Sequence, residues 1–429
     1  RPRRTAIYLR QAMANTNNTS LTPVGQDARV FTGFSHAALW FSLGVGLLVM
    51  QVGAYLVPAV GTHDALIAIV MGSIAGSALL ACTAKLGCDS GLSSAGLMHR
   101  VYGRAFARLP VALNIVQLIG WTTFELVVMR DGTAAISEQA FGIQTHLLWP
   151  TLLWGGVLTL LMTGSMLTLV RQFVSRIGLP LVIGSLLWLS WHFIGVVNSQ
   201  GLDAFMARAG DGSMGMLSAI DLVMAMPVSW LPLVADYARH GRSGRSTLAG
   251  TWIGYAIANA WCYALGFLVA SASEPGTDLV MALLFAQGGL LALGLILLDE
   301  LDNAYGDVYS SAVSANSLKP TWSVRGWGVV LAVLCTGLAW VLPMHSLEPF
   351  LLTLSSVFVP LYGVILGRWR AVMQTSDDAI TPQIEPVAAV LWLIGVVVFH
   401  AASTWAPQYG SALPSLLVTF ILARLTRHA

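Results

Sequence analysis

The sequence predicts a polytopic all-α membrane protein with about twelve transmembrane helices, and three observations predict it. Of the 429 residues 56% are apolar and only 10% charged, where a soluble domain carries about 25% charged residues. About twelve apolar runs approach the ~20 residues that a helix needs to cross the hydrocarbon core. On the map these runs define, nearly all of the 22 Lys and Arg residues fall on one side, the asymmetry that marks cytoplasmic loops.

The spans are placed at 36–58, 64–85, 106–129, 147–170 and 176–198, then at 217–238, 249–272, 288–314, 325–343 and 348–366, and finally at 386–402 and 411–426. Residues 1–35 form a polar N-terminal segment, and the connections are too short for a soluble domain. The linker "QTSDDAITPQIEP" at 374–386 sets the last two spans apart from the first ten. Ten helices plus two match folds built from inverted repeats whose first helices are broken at the midplane. The repeats would be 36–198 and 217–366, followed by 386–426.

Span 1 reads "LWFSLGVGLLVMQVGAYLVP", with Gly44 and Gly46 in mid-membrane. Span 6 ends in "AMPVSWLPLVADYARHGR", where Pro227 and Pro232 each remove a backbone donor. Freed carbonyls cannot face lipid and must line protein or a water-filled cavity. Span 6 is therefore expected to be broken around a bound ligand, a simple proline kink being the alternative.

Only Arg130 and Arg208 lie on the far side of the map, so both termini are expected in the cytoplasm and the chain in a bacterial cytoplasmic (inner) membrane. The net charge of +2 reflects this topology and gives no reason to expect a nucleic-acid partner. No cleavable signal peptide is visible. The opening "RPRRTAIYLRQA" reads unlike the rest, as an upstream translation product or artefact, and takes no part in the fold reading. Cys82, Cys88, Cys262 and Cys335 form no CxxC pair, so packed free thiols are expected and neither a disulfide framework nor a zinc site.

Ionisable residues at bilayer depth mark a pathway or a binding site. In span 3, "NIVQLIGWTTFELVVMRDG", Gln117, Trp121 and Glu125 follow one another at four-residue steps and share a face. An indole beside a carboxylate and a carboxamide suits a flat polar heteroaromatic ligand. The plainer alternatives are core packing for Trp121 and an interfacial place beside Arg130 for Glu125. In span 8, "LGLILLDELDNAYGDVYSSAVSAN", Asp299, Asp302 and Asn303 share one face and Glu300, Asn303 and Asp307 a neighbouring one. Four carboxylates within this stretch cannot all be ionised in hydrocarbon; some must pair, bind a cation or take a proton. Asp236 and Arg239 sit at ion-pair spacing, and His192 and His400 read as interior histidines without ligand neighbours.

"GLSSAGLMHRVYG", "NIVQLIGWTTFELV" and "DLVMAMPVSWLPLVADYAR" resemble the nucleobase/cation symporter family, in its branch of cytosine and hydroxymethylpyrimidine permeases. The likeness runs through span 10. It implies a LeuT-like five-plus-five inverted repeat followed by two C-terminal helices. It also implies import of a nucleobase-like ring by cation symport. The ring site would lie between spans 1, 3, 6 and 8, with Trp121 and the Ser229–Trp230 pair at its aromatic positions. A sodium site would join span 1 carbonyls near Gly44 and Leu47 to paired hydroxyls of span 8. There the chain departs from the pattern. Asp302 and Asn303 stand where hydroxyls are expected, Asp299 where a substrate-binding amide is expected, and Glu125 is unusual at its position.

The expected function is secondary active import of a pyrimidine or related ring, amino-bearing rings such as cytosine being favoured over uracil. Gln117, Trp121, Glu125, Ser229, Trp230 and Asp299 would bind the substrate. Gly44, Leu47, Asp302 and Asn303 would bind a coupling ion, Na⁺ or H⁺. No cofactor, enzymatic activity or obligate protein partner is expected; the partners are the small heteroaromatic substrate and the bilayer. The alternatives are an amino-acid or amine transporter of the same fold, or a membrane receptor or enzyme, which no catalytic motif supports.

Overall fold

The computed structural model describes residues 20–164, 178–342, 347–374 and 382–426. Among these the chain is helical, its only β contact a parallel bridge between Phe31 and Gly241. The N-terminal stretch set aside above, the junction of spans 4 and 5 and most of the 374–386 linker lie outside the described residues.

Helices α1 (Gly33–Ser42) and α2 (Leu47–Ala54) make up span 1. They are followed by α3 (Thr62–Ser90), α4 (Ser94–Tyr102), α5 (Arg108–Phe141), α6 (Leu148–Met162) and α7 (Leu179–Ala207). Span 6 is α8 (Met216–Ser229) and α9 (Leu231–Ala238), and α10 (Gly244–Ala272), α11 (Leu279–Phe285) and α12 (Gly289–Leu318) come next. The series ends with α13 (Val324–Val341), α14 (Leu347–Gly367), α15 (Trp369–Gln374), α16 (Pro386–Trp405) and α17 (Ala412–Leu425). Among the described residues, eight helices are long and apolar enough to cross a membrane, or nine with α1 and α2 taken as one bent span. The connections between the expected spans hold α4, α11 and the end of α7, which turns at Gly201 (φ 111°).

The ends follow ordinary capping chemistry. Thr32 accepts the Ser35 amide at the start of α1, and Ser93 that of Gly96 at the start of α4. Gly91 closes α3 in the left-handed conformation at φ 71°.

The two breaks are unequal. α1 and α2 meet at 60°, whereas α8 and α9 form one continuous 23-residue span interrupted at Trp230 alone. This corrects the expectation for span 6. Pro232 sits in the first turn of α9, where its missing amide would have no intrahelical partner anyway. The Trp230 carbonyl accepts the amides of Leu233 (3.1 Å) and Val234 (3.0 Å). Pro227 lies inside α8 and removes one helical bond there without splitting the span.

Small residues set the packing distances. Cβ atoms at Gly72, Gly76 and Gly87 of α3 would meet Val223, Pro227 and Ala235 of α8 and α9. One at Gly266 of α10 would run into the Met50 carbonyl of α2, and one at Gly53 into the Tyr263 backbone. Close approach of this kind is what holds helices together where lipid is as apolar as the side chains.

Candidate functional site: an acidic, aromatic cavity beneath a vestibule

The break between α1 and α2 leaves the first amides of α2 without helical partners, in the middle of the bundle. Glu300 of α12 meets them: the Leu47 amide donates to its Oε1, and the Asn303 amide group donates to Oε2 at 3.2 Å. Asn303 also donates to the Val45 carbonyl at 3.1 Å, tying α12 to the break. The fully buried carboxylate thus faces the positive end of a half-helix. A Cβ on Gly46 would lie 3.0 and 3.2 Å from the two Glu300 oxygens. Gly46 is extended (φ 175°), so glycine is needed there for close approach and not for its dihedrals.

Next to this junction is a small cavity. Gly46 and Leu48, Trp121 and Glu125 of α5, Ser229 and Trp230, and Glu300, Asn303 and Asp307 of α12 line it. Its free volume is only ≈ 20 Å³, about enough for one water. The walls are therefore closed on one another. Trp121 is braced edge-on by Phe350 at 5.2 Å, and Trp230 by Trp40 at 5.8 Å. Ser229 donates back to the Met226 carbonyl at 2.7 Å. Glu125 is 4% exposed and its Oε2 has no partner; the indole nitrogen of Trp121 and Oδ1 of Asn303 are equally unpaired.

Leu48 also borders a vestibule of ≈ 800 Å³ that opens at the Ala54–Pro58 end of the bundle, between α2, α5 and the 270–281 segment. The opposite end is laced shut. Phe31 donates to the His240 carbonyl (3.0 Å) and accepts the Arg242 amide (2.9 Å), while Arg29 reaches the Cys88 carbonyl at 2.7 Å. Burial, with Arg239 beside it, pushes the His240 imidazole down to about 3 in this lacing.

Trp121, Glu125, Ser229, Trp230 and Asn303 are brought together around one cavity; the other residues assigned from sequence to the substrate and ion sites are not. Gln117 turns to Asn114, donating to its Oδ1 at 2.9 Å. Asp299 accepts the Ser42 hydroxyl at 2.7 Å, with Asp302 beside the same hydroxyl, and neither lines the cavity. Leu47 turns its amide, not its carbonyl, toward α12, and the amide of Gly44 is spent on the Trp40 and Phe41 carbonyls. Asn303, read above as an ion ligand, belongs to the cavity wall. The Asp236–Arg239 ion pair does not form: Asp236 accepts the Ser94 amide at 2.9 Å and the Ser310 hydroxyl. Arg130 pairs with Asp131 at 2.6 Å and so does not face Glu125. Sequence reasoning left Glu300, Asp307 and Gly46 out of the site. The face that Glu300 and Asp307 share with Asn303 was visible, but not that this face meets the α2 terminus at Gly46.

A bundle of membrane-length helices, one of them broken against a buried polar cavity beneath a vestibule, defines a membrane transporter rather than an enzyme. The chain belongs to the family of permeases for cytosine/purines, uracil, thiamine and allantoin, whose sequence pattern matches residues 23–382. Cytosine permeases of Escherichia coli K12 and O157:H7 are each 25% identical over 446 residues, covering 97% of this chain and 98% of theirs. Among solved structures, the nucleobase-cation-symport-1 family transporter Mhp1, closed with bromovinylhydantoin bound, superposes with a TM-score of 0.77 at 17% identity. That match covers 95% of this chain and 93% of that one. A Na⁺-coupled sialic acid symporter follows the same fold at 0.63 and 11% identity, over 94% and 91% of the two chains.

Proposed function

We propose that the protein imports a flat nucleobase-like ring bearing amino groups, such as cytosine or a hydroxymethylpyrimidine, by cation symport and alternating access. The observation that carries this reading is the meeting of Trp121, Trp230 and Glu125 at the floor of a vestibule open at one end of the bundle and closed at the other. Indole faces hold a ring by stacking, and a carboxylate accepts an N–H bond from an exocyclic amino group. The cytosine permeases similar to this chain and the hydantoin-bound relative of the same fold support it.

The architecture that goes with this function is a five-plus-five inverted repeat and two further helices, with α1–α2 and α8–α9 opening the repeats. It has twelve crossings once α12 and the short α6 and α17 are counted with the nine apolar spans. α12 is set apart from those nine by its carboxylates. The arginine-rich side, with the laced end and both termini, lies in the cytoplasm, and the vestibule opens outside a bacterial cytoplasmic membrane. Ser42, Asp299 and Asp302 hold the coupling cation, Na⁺ or H⁺, apart from the ring site.

Uptake of radiolabelled cytosine and uracil by cells producing the protein, with and without a sodium gradient and at two external pH values, tests the reading. It predicts accumulation of cytosine over uracil that collapses with one of the two gradients. No accumulation of any base under any gradient contradicts it.

A further inference from the structure

The carboxyl groups of the cavity have no cationic partner among the described residues. Glu125, Glu300 and Asp307 all line it. Among the described residues, no Lys, Arg or His lies within 4.0 Å of any of the three carboxylates. The donors that the Leu47 amide and Asn303 supply are spent on Glu300. Among the described residues nothing donates to Oε2 of Glu125, which is buried and unpaired, or to Asp307. Glu125 meets the Glu300 carboxyl in an acid–acid contact that itself calls for a proton or a bound cation. Asp299 and Asp302 share Ser42 outside the cavity wall, so a cation bound by them is not in contact with these groups.

An ionised carboxylate can only accept hydrogen bonds. A neutral base presents donors and acceptors alternately along its edge, and its carbonyl and ring-nitrogen lone pairs would face acceptors on two sides. A ring with a delocalised positive charge and only N–H donors at its polar edge has no such conflict. The indoles of Trp121 and Trp230 also attract a cation over their faces. The approach has the same sign: the vestibule is lined by Glu274 and Asp278, and by Asp131 paired with Arg130, against Arg208, and an acidic funnel raises the local concentration of cations.

Taking the cavity as the transport site, as proposed above, we infer that it selects a flat aromatic or heteroaromatic cation of the amidinium or aminopyrimidinium type over its neutral isostere. Glu125 and Asp307 are the recognising pair, and Glu300 is the carboxylate already neutralised by the half-helix.

Benzamidine, charged at neutral pH, and benzamide, its neutral isostere, are the probes. Binding to the purified full chain in lipid nanodiscs is read by tryptophan fluorescence and by ligand-induced thermal shift, with labelled cytosine measured alongside. Benzamidine is expected to bind at least about tenfold more tightly than benzamide. In Glu125→Gln and in Asp307→Asn the gap should narrow to less than about threefold, through loss of benzamidine affinity. Wild-type comparison alone decides the matter if a variant fails to fold. Equal or tighter binding of benzamide overturns the inference. If cytosine is still bound or transported in that case, the proposed function stands and the cavity charge is neutralised by a bound proton or metal cation instead. If neither probe nor cytosine binds, both readings fall. A preference that survives both substitutions places the recognition of charge elsewhere and overturns the site assignment.

Discussion

At the residue scale the account turns on Gly46 and Glu300. The carboxylate sits on the opening amide of α2, within hydrogen-bond reach of Asn303, and a Cβ at Gly46 would press on both of its oxygens at 3.0 and 3.2 Å. Gly46→Ala should therefore lower uptake about tenfold at equal membrane abundance by displacing Glu300. Pairing it with Glu300→Asp, which is shorter by one methylene, should restore part of the loss. A Gly46→Ala protein with wild-type uptake would show that the junction does not need the close approach. Glu125 makes a separate prediction: Glu125→Gln should lose much of the preference for cytosine over uracil, measured by competition. Wild type preferring uracil would end that role. Trp121, Glu125 and Trp230 were legible in the sequence because a tryptophan or a carboxylate at bilayer depth is conspicuous. Glu300 and Asp307 were not, because Asp299 and Asp302 were conspicuous in the same way one residue to the side. Only the packing of α12 against α2 decides which face of it meets the cavity.

At the element scale, most of the sequence's apolar runs lie within a few residues of the helices, but α5 runs on to Phe141 and α7 to Ala207, well past the ends at 129 and 198 expected for spans 3 and 5. The α1–α2 break was legible from two glycines in mid-span. The reading of span 6 failed because proline was weighed by its presence and not by its place in the turn. Pro232, in the first turn of α9, should accordingly tolerate Pro232→Ala with little change in melting temperature. Gly266→Val should instead destabilise the protein by several kcal/mol, since its side chain would meet the Met50 carbonyl. Detergent-solubilised melting curves separate the two, and equal effects would contradict this packing. The lacing of Phe31 to His240 and Arg242 carries a pH dependence. Closed, the lacing holds His240 neutral down to about 3 instead of 6.5, with Arg239, Arg29 and His36 crowding it. A state that exposes the imidazole therefore takes up a proton below 6.5 that the closed state refuses. Closure is fully favoured above that value and weakens as pH falls. Hydrogen exchange of residues 24–31, corrected for intrinsic rates, should be faster at about pH 5.5 than at about pH 7.5. Exchange that does not change would contradict it.

At the scale of the whole molecule, composition and the Lys/Arg asymmetry carried the membrane class, and the resemblance carried the family, which the match over residues 23–382 establishes. Helical spacing set Asp299 and Asp302 on one face and Glu300 and Asp307 on a neighbouring one; what the sequence could not carry was that the first pair gathers at Ser42 and the second joins Glu125 at the cavity. That division predicts separable functions. Asp302→Asn should abolish accumulation against a gradient while leaving exchange of internal for external substrate. Concentrative uptake with unchanged ion dependence in that variant would put the coupling charge elsewhere. The central claim is that the ring is held between α5 and α8–α9 at the vestibule floor, and substrate affinity in Trp121→Ala and Trp230→Ala tests it most directly. Stacking is worth roughly 1–3 kcal/mol per base, so concentration-dependent cytosine uptake should show the apparent affinity falling about tenfold or more in each variant at equal membrane abundance. Unchanged apparent affinity in both would contradict the account.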